Sequence, residues 1–230
     1  MDIAHRLRQI YDILLDSYGS QHWWPADTPF EVMIGAILTQ NTAWSNVEKA
    51  ISGLREISDL TIATVFSLPL EKLEEAIRPS GYFRQKSARL HGLCRFLLEQ
   101  YGGRIPAMEG VRTRDLRDQF LSLNGIGPET ADSILLYALG RPVFVVDAYT
   151  IRLTSRLGYC NENSSYNELQ SLFMDSLDHD VEMFNEYHGL IVNHCKERCR
   201  KHDPFCPECP LEDLCHFNFK FQNSNFKKNV

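Results

Sequence analysis

Long apolar runs are missing from this sequence. No uncharged stretch reaches the roughly 18 residues that a membrane-spanning helix needs, so no membrane partner is expected. The opening segment MDIAHRLRQIYDILLDSYG is amphipathic and charged throughout, which excludes a secretory signal peptide. Strict alternation of apolar and polar residues, the mark of a half-buried strand, is absent over any length that would build a sheet. Internal repeats and low-complexity segments are absent too. Basic residues are in short supply: 24 Lys and Arg against 30 Asp and Glu leave a net charge of −6. Taken alone, that deficit speaks against nucleic acid or an anionic membrane surface as a partner. A cytoplasmic protein is expected. In a reducing compartment, clustered cysteines read as metal or redox sites before disulfides.

The chain has 230 residues, 43% of them hydrophobic and 23% charged. It can bury a core without crosslinks, and one large domain or two modest ones fit the length. Apolar residues recur at helical spacing over Ile3–Tyr18, Pro29–Gln40, Ser45–Ile57, Pro69–Ile77 and Gln85–Gln100. Gly102, Gly103 and Pro106 form a stop signal after the last of these. Val143–Val146 is β-branched and apolar but too short to imply a sheet. The pattern predicts an all-α fold of about ten short helices. The tail from Phe217 to Val230 is polar, aromatic and basic, and fraying is expected there.

Charge is segregated along the chain. Gly158–Leu190 holds seven acidic residues and no Lys or Arg. Gly81–Arg95 holds Arg84, Lys86, Arg89 and Arg95 and no acid, and Lys196, Arg198, Arg200 and Lys201 cluster against the single acid Glu197. Each run taken singly reads as a solvated helix face.

Five of the seven cysteines lie near the C-terminal end. Cys199, Cys206, Cys209 and Cys215 are spaced C-x6-C-x2-C-x5-C, with Pro204, Pro207 and Pro210 setting turns between them. Four soft thiolates so close in sequence can close around one metal centre, either zinc or an iron–sulfur cluster. Arg200 and Lys201 fall between the first two of these cysteines, where they could meet a phosphate backbone. Cys195 is a spare thiol on the preceding helix, and Cys94 and Cys160 read as small buried residues.

A second cluster of signals surrounds residues 116–158. Leu116–Asn124 reads as a short helix broken by Gly125-Ile126-Gly127, and Pro128 restarts a helix at its favoured first position. Two glycines flanking an apolar residue let backbone amides approach a phosphate beside the positive end of a helix; a plain helical hairpin with a Gly-rich turn explains the same residues. The run Gly140-Arg141-Pro142-Val143-Phe144-Val145-Val146 then leads into Asp147 at the head of another helix. Asp147 is an evident N-cap. After a buried apolar run it is also a desolvated carboxylate fixed in direction, as needed beside a sugar developing positive charge at its anomeric carbon.

Together these elements resemble the helix–hairpin–helix DNA glycosylase superfamily, the endonuclease III family. LNGIGPETADSILLYALGRPVFVVDAYTIRL is similar to the family core, FEVMIGAILTQNT to the helix ending at the DNA-probing loop, and SGYFRQKSARL to the segment before the hairpin. With the cysteine loop, the resemblance runs from Pro29 to Cys215. It implies a 4Fe–4S cluster on Cys199, Cys206, Cys209 and Cys215, with zinc as the alternative, and a mainly structural task for that cluster. It implies two helical domains flanking a DNA-binding cleft. One is a six-helix barrel over 25–141 with the hairpin at about 116–140. The other is formed by 1–24 plus 142–230 and carries the cluster loop at 199–215. A monomer acting on double-stranded DNA with a damaged base, associated with the nucleoid, is expected.

Within that family, members that also cut the strand carry a lysine two residues after the second hairpin glycine. Glu129 occupies that position here, and a carboxylate cannot form an imine. The resemblance therefore implies a hydrolytic, monofunctional glycosylase in which Asp147 stabilises the transition state and helps position water; Lys86 and Lys196 stay open as substitute amines. Trp23-Trp24-Pro25 ahead of LTQNT, with Trp44 following, resembles the 3-methyladenine DNA glycosylase III branch, in which a damaged base stacks between aromatic rings. An alkylated purine is cationic and is drawn to a π-face. Gln40 and Asn41 are candidates to fill the hole left by a flipped nucleotide, or else helix caps. Tyr149 lines the pocket or covers the core. Gly125, Ile126, Gly127, Glu129 and Thr130 of the hairpin complete the expected DNA contacts. An endonuclease III-like lyase on oxidised pyrimidines, and a non-catalytic DNA-binding module, are the competing readings.

Overall fold

The computed structural model describes residues 2–217; most of the basic tail lies outside the described residues. Among the described residues there is no strand. In chain order the α-helices are α1 (Ile3–Tyr18), α2 (Pro29–Leu38), α3 (Trp44–Ile57), α4 (Ile62–Ser67), α5 (Leu70–Ala76), α6 (Phe83–Tyr101), α7 (Thr113–Leu121), α8 (Pro128–Ser133), α9 (Ala148–Arg156), α10 (Tyr166–Met174) and α11 (Val181–Glu197). The all-α expectation holds. Helix α4 escaped the periodicity reading because six residues are too few to show a period; a Thr61–Thr64 capping box starts it. The chain forms two compact units, a central one over Trp24–Arg141 and a terminal one built from residues up to Trp23 and from Pro142 on.

In the central unit, α2 is the core element. Thr28 caps it, accepting from Glu31 N at 3.1 Å, and Pro29 takes the first turn. Every residue from Phe30 to Leu38 is buried, so this helix is enclosed on all sides, as its unbroken apolar run predicts. Helices α3, α6 and α8 pack around it. The one charged residue buried on α2, Glu31, accepts from Arg55 Nη2 at 2.8 Å, which offsets its desolvation. The helix predicted to run on from Pro128 changes pitch: Leu139 N donates to Ile134 O at 3.1 Å, making a π-turn over Ile134–Ala138. That extra residue rotates Tyr137 relative to a regular helix.

In the terminal unit, Val143–Val146 is buried outside any helix, with no sheet partner among the described residues. Its backbone is satisfied by side chains instead. Gln170 Nε2 donates to Phe144 O at 2.8 Å, and the Val146 amide donates to Tyr166 Oη at 3.4 Å. Phe144 stacks on Phe173 at 3.9 Å between centroids, with Phe184 and Tyr187 edge-on around it. Helix α11 packs between α1 and α9, and Tyr187 Oη ties it to Leu7 O at 2.8 Å. Because Phe173 is fully buried in this cluster, stacked on Phe144, Phe173→Ala should lower the unfolding free energy by about 3–5 kcal/mol. A urea unfolding series reads that loss directly, with an unchanged m-value.

Candidate active site

The terminal unit places Asp147 as the N-cap of α9. Asp147 Oδ1 accepts from Thr150 N at 2.7 Å and from Thr150 Oγ1 at 3.0 Å, and Asp147 N donates back to Thr150 Oγ1 at 3.4 Å. The second carboxylate oxygen lies 3.5 Å from His188 Nε2 of α11, and the Asp147 side chain is only 12% exposed. Burial pushes this carboxyl up. The charge of His188 and the bonds from His188 and Thr150 outweigh it, so the group sits below its ordinary value. The positive end of α9 acts in the same direction. The result is an ionised carboxylate in a nearly dry place with a fixed orientation. Tyr149 stands beside it; burial and then the Asp147 charge push its phenol up, and Arg152 covers its ring at 5.0 Å.

Helix α9 also grips the cysteine loop. Arg152 Nε donates to Cys199 O at 2.7 Å, and Arg156 Nη1 lies 3.2 Å from Cys199 Sγ and donates to Arg200 O at 2.9 Å. His194 joins from α11, with Nε2 3.9 Å from Cys209 Sγ and Nδ1 2.9 Å from Tyr18 Oη. Burial first, then the charges of neighbouring loop thiols, raise Cys206, and carry Cys209 to about 11. Cys199 moves the opposite way, lowered by hydrogen bonds from Cys195, His194 and Arg156 against its burial. All four thiols therefore share one electrostatic neighbourhood and are backed by a guanidinium, a donor set suited to thiolate ligation of a metal centre. Arg200 and Lys201 are exposed. Cys195 is buried on α11, as expected, and Cys94 is buried with its thiol pushed up to about 12 by that burial. Cys160 departs from expectation: it is half-buried, 3.2 Å from Thr154 Oγ1.

Trp23 and Trp24 part company. Trp23 belongs to the terminal unit, where a Cβ on Gly189 of α11 would lie 3.0 Å from Trp23 Cβ. Lys196 Nζ sits 5.7 Å from its ring centroid, a cation–π distance. Trp24 belongs to the central unit. Its indole meets Trp44 edge-on at 5.1 Å and Tyr137 at 5.0 Å. It lies so close to α2 that a Cβ on Gly35 would come within 3.2 Å of the ring. Pro25 is exposed beside it. Tyr137 was not singled out in the sequence because a lone Tyr in an apolar helix reads as core; the π-turn that aims it is a tertiary outcome.

The hairpin and the 39–43 loop also belong to the central unit. Gly125 has φ +80°, open to glycine at no cost, and Ile126 is buried at 5% exposure as the apolar pin between two exposed glycines. The first amides of α8, after Gly127, have no partner inside the helix, and Glu129 is exposed among them. Thr130 turns its side chain toward the 39–43 loop. Its side chain is buried at 6% exposure and accepts from Gln40 Nε2 at 2.8 Å, so it faces inward from the third position of α8. The Gln40 amide bonds to the hairpin and to Arg89. Asn41 is exposed, with φ +52°. Tyr82, at 66% exposure with φ +45°, is a further surface aromatic at the start of α6 that the sequence reading passed over.

Lys86 was expected among a surface run of cations. It is instead fully buried, donating from Nζ to Leu38 O at 2.8 Å, Thr42 Oγ1 at 2.7 Å and Ser80 O at 2.7 Å. Burial, with help from Arg89, lowers its amine to about 8. All three of its protons are used on protein oxygens, so it is a structural cation.

A pH prediction follows from Asp147. Its folded value lies below the ordinary 3.8. The ionised side chain therefore contributes stability above about pH 4, and that contribution is lost as pH falls through the lowered value. Asp147→Asn should differ most from the parent in unfolding midpoint near neutral pH, and the two should converge as pH falls through the lowered value. Denaturant midpoints at a series of pH values measure this.

Comparison with known proteins identifies the family. The model of the "HhH-GPD superfamily base excision DNA repair protein" matches residues 34–179. A Methanocaldococcus jannaschii protein named as a DNA repair glycosylase is 50% identical over 208 residues, covering 90% of this chain and 94% of its own. A trapped covalent endonuclease III–DNA intermediate superposes with a TM-score of 0.83 at 28% identity, covering 96% of this chain and 100% of that one. The Helicobacter pylori 3-methyladenine DNA glycosylase bound to 1,N6-ethenoadenine superposes with a TM-score of 0.74 at 29% identity, covering 86% and 98%. The chain belongs to the HhH-GPD superfamily of base excision DNA repair proteins.

Proposed function

We propose that this protein is a monofunctional DNA glycosylase that hydrolyses the N-glycosidic bond of alkylated purines, such as 3-methyladenine, in double-stranded DNA, and that it acts as a monomer. The observation that carries the reading is Asp147: nearly buried, held ionised, and fixed in direction by Thr150 and His188. A carboxylate so placed stabilises positive charge developing on the sugar as the base departs, and orients the attacking water. Its partners are already in position, so little reorganisation accompanies the reaction.

Hydrolysis without strand cleavage is supported by Glu129 at the position of the imine-forming lysine and by Lys86, whose amine is fully engaged. Lys196, the other amine considered, is exposed and lies over the Trp23 ring. The alkylpurine preference is supported by Trp24, Trp44 and Tyr137, whose π-faces suit a cationic base. The resemblance of the chain to the 3-methyladenine glycosylase structure points the same way. Gly125, Gly127 and the head of α8 would bind a phosphate through backbone amides, and Arg200 and Lys201 would add surface cations.

Cys199, Cys206, Cys209 and Cys215 would hold a 4Fe–4S cluster. Zinc is the alternative for the same four thiolates. When bound, the cluster supplies a rigid anchor for the loop bearing Arg200 and Lys201.

The competing reading, an endonuclease III-like lyase on oxidised pyrimidines, draws support from the superposition on endonuclease III. Incubation with duplexes bearing 3-methyladenine, 7-methylguanine, an oxidised pyrimidine or a T·G mismatch decides between them. Release of alkylpurine, with strand breaks appearing only after alkali, is expected; a covalent adduct trapped by borohydride would overturn the monofunctional reading. Asp147→Asn should reduce base release by about a hundredfold or more while duplex binding is kept, as read in single-turnover assays.

A further inference from the structure

The 39–43 loop is fastened to the hairpin by two side chains. Gln40 Nε2 donates to Gly125 O at 3.2 Å and to Thr130 Oγ1 at 2.8 Å. Arg89 Nη1, from α6, donates to Gln40 Oε1. Both ends of the Gln40 amide are thus spent on protein partners. The Arg89 side chain also lies across Gly125, where any Cβ would overlap its guanidinium. Gly125 suits this place by its positive φ, and a Cβ there would force the Arg89 side chain to shift. Lys86, one turn earlier on α6, holds the same loop through Leu38 O and Thr42 Oγ1. Asn41 stands at the loop tip with an exposed side chain in left-handed backbone.

A loop left to itself would be ordered only on meeting the duplex, and that ordering would weaken binding. A charge-assisted bond to a half-buried amide is among the stronger tethers a protein has; here it joins Arg89 to Gln40, 49 residues apart, and the other end of the same amide reaches Gly125, 85 residues away. We propose that Arg89 and Gln40 are positioning residues that clasp the hairpin to the 39–43 loop. Phosphate anchoring at the hairpin and insertion of Asn41 then act as one preformed unit. Neither residue need touch the nucleic acid for this. The inference rests on the reading of the chain as a base-extruding enzyme, and not on the identity of the lesion.

The test uses the full-length protein and a duplex carrying 2-aminopurine at the extruded position. Flipping is followed by stopped-flow fluorescence, and binding to undamaged duplex is followed across a salt series. Gln40→Leu and Arg89→Leu should each slow flipping about tenfold, and the double variant should be little slower than either, because both break one clasp. The salt slope of Gln40→Leu should match the parent, since no phosphate contact is lost. Arg89→Lys, which keeps a charged donor and leaves the hydrophobic core untouched, should recover most of the rate. If the two single effects multiply, or if Gln40→Leu weakens undamaged binding by the same factor as flipping, the residues contact DNA independently and the clasp is wrong. If the parent itself extrudes nothing, the enzyme reading fails, and with it this proposal.

Discussion

A carboxylate removed from water must be met by donors, and the way Asp147 meets this requirement organises the terminal unit. Its cap bonds to Thr150 start α9, and its second oxygen draws in His188 from α11. Once α9 is started and anchored there, its later turns present Arg152 and Arg156 to the cysteine loop. One helix therefore carries the buried anion at its head and the cations that shape the thiol cluster further along. The same polarity that favours an anion at a helix start favours this order of charges.

The central unit solves the mirror problem. Lys86 is a cation without a carboxylate partner, held by three neutral oxygens from α2, the 39–43 loop and the turn before α6. Burial lowers its amine but does not leave it unsatisfied. Because those three oxygens belong to separate elements, a single ammonium fixes their mutual spacing. With Gln40 and Arg89 it makes the loop and hairpin a connected polar network beside an otherwise apolar core, and such networks specify geometry where apolar contacts only specify compactness.

Much of this was readable from residue order because it is local. The spacing of apolar residues located several helices, and the capping Asp147 marked the start of α9. The hairpin, with its glycines and Pro128, is likewise a matter of neighbours along the chain. The acidic balance of −6 misled only while it was treated as uniform. Backbone amides at the hairpin would add binding capacity that no charge count records. Lys86, by contrast, counted as a surface cation although it is buried.

Sequence alone determined the helical class, the four-cysteine spacing, the hairpin and the capping aspartate, since each follows from positions a few residues apart. Only the tertiary structure decided that His188 faces Asp147, that Tyr137 joins Trp24 and Trp44, that Trp23 and Trp24 enter different units, and that Gln40 and Thr130 bond to each other. These pairings join residues far apart in the chain or turn on small changes of pitch, such as the π-turn before Leu139. Their cause is packing, where many weak contacts settle together which side chain points where, and no local period encodes that outcome.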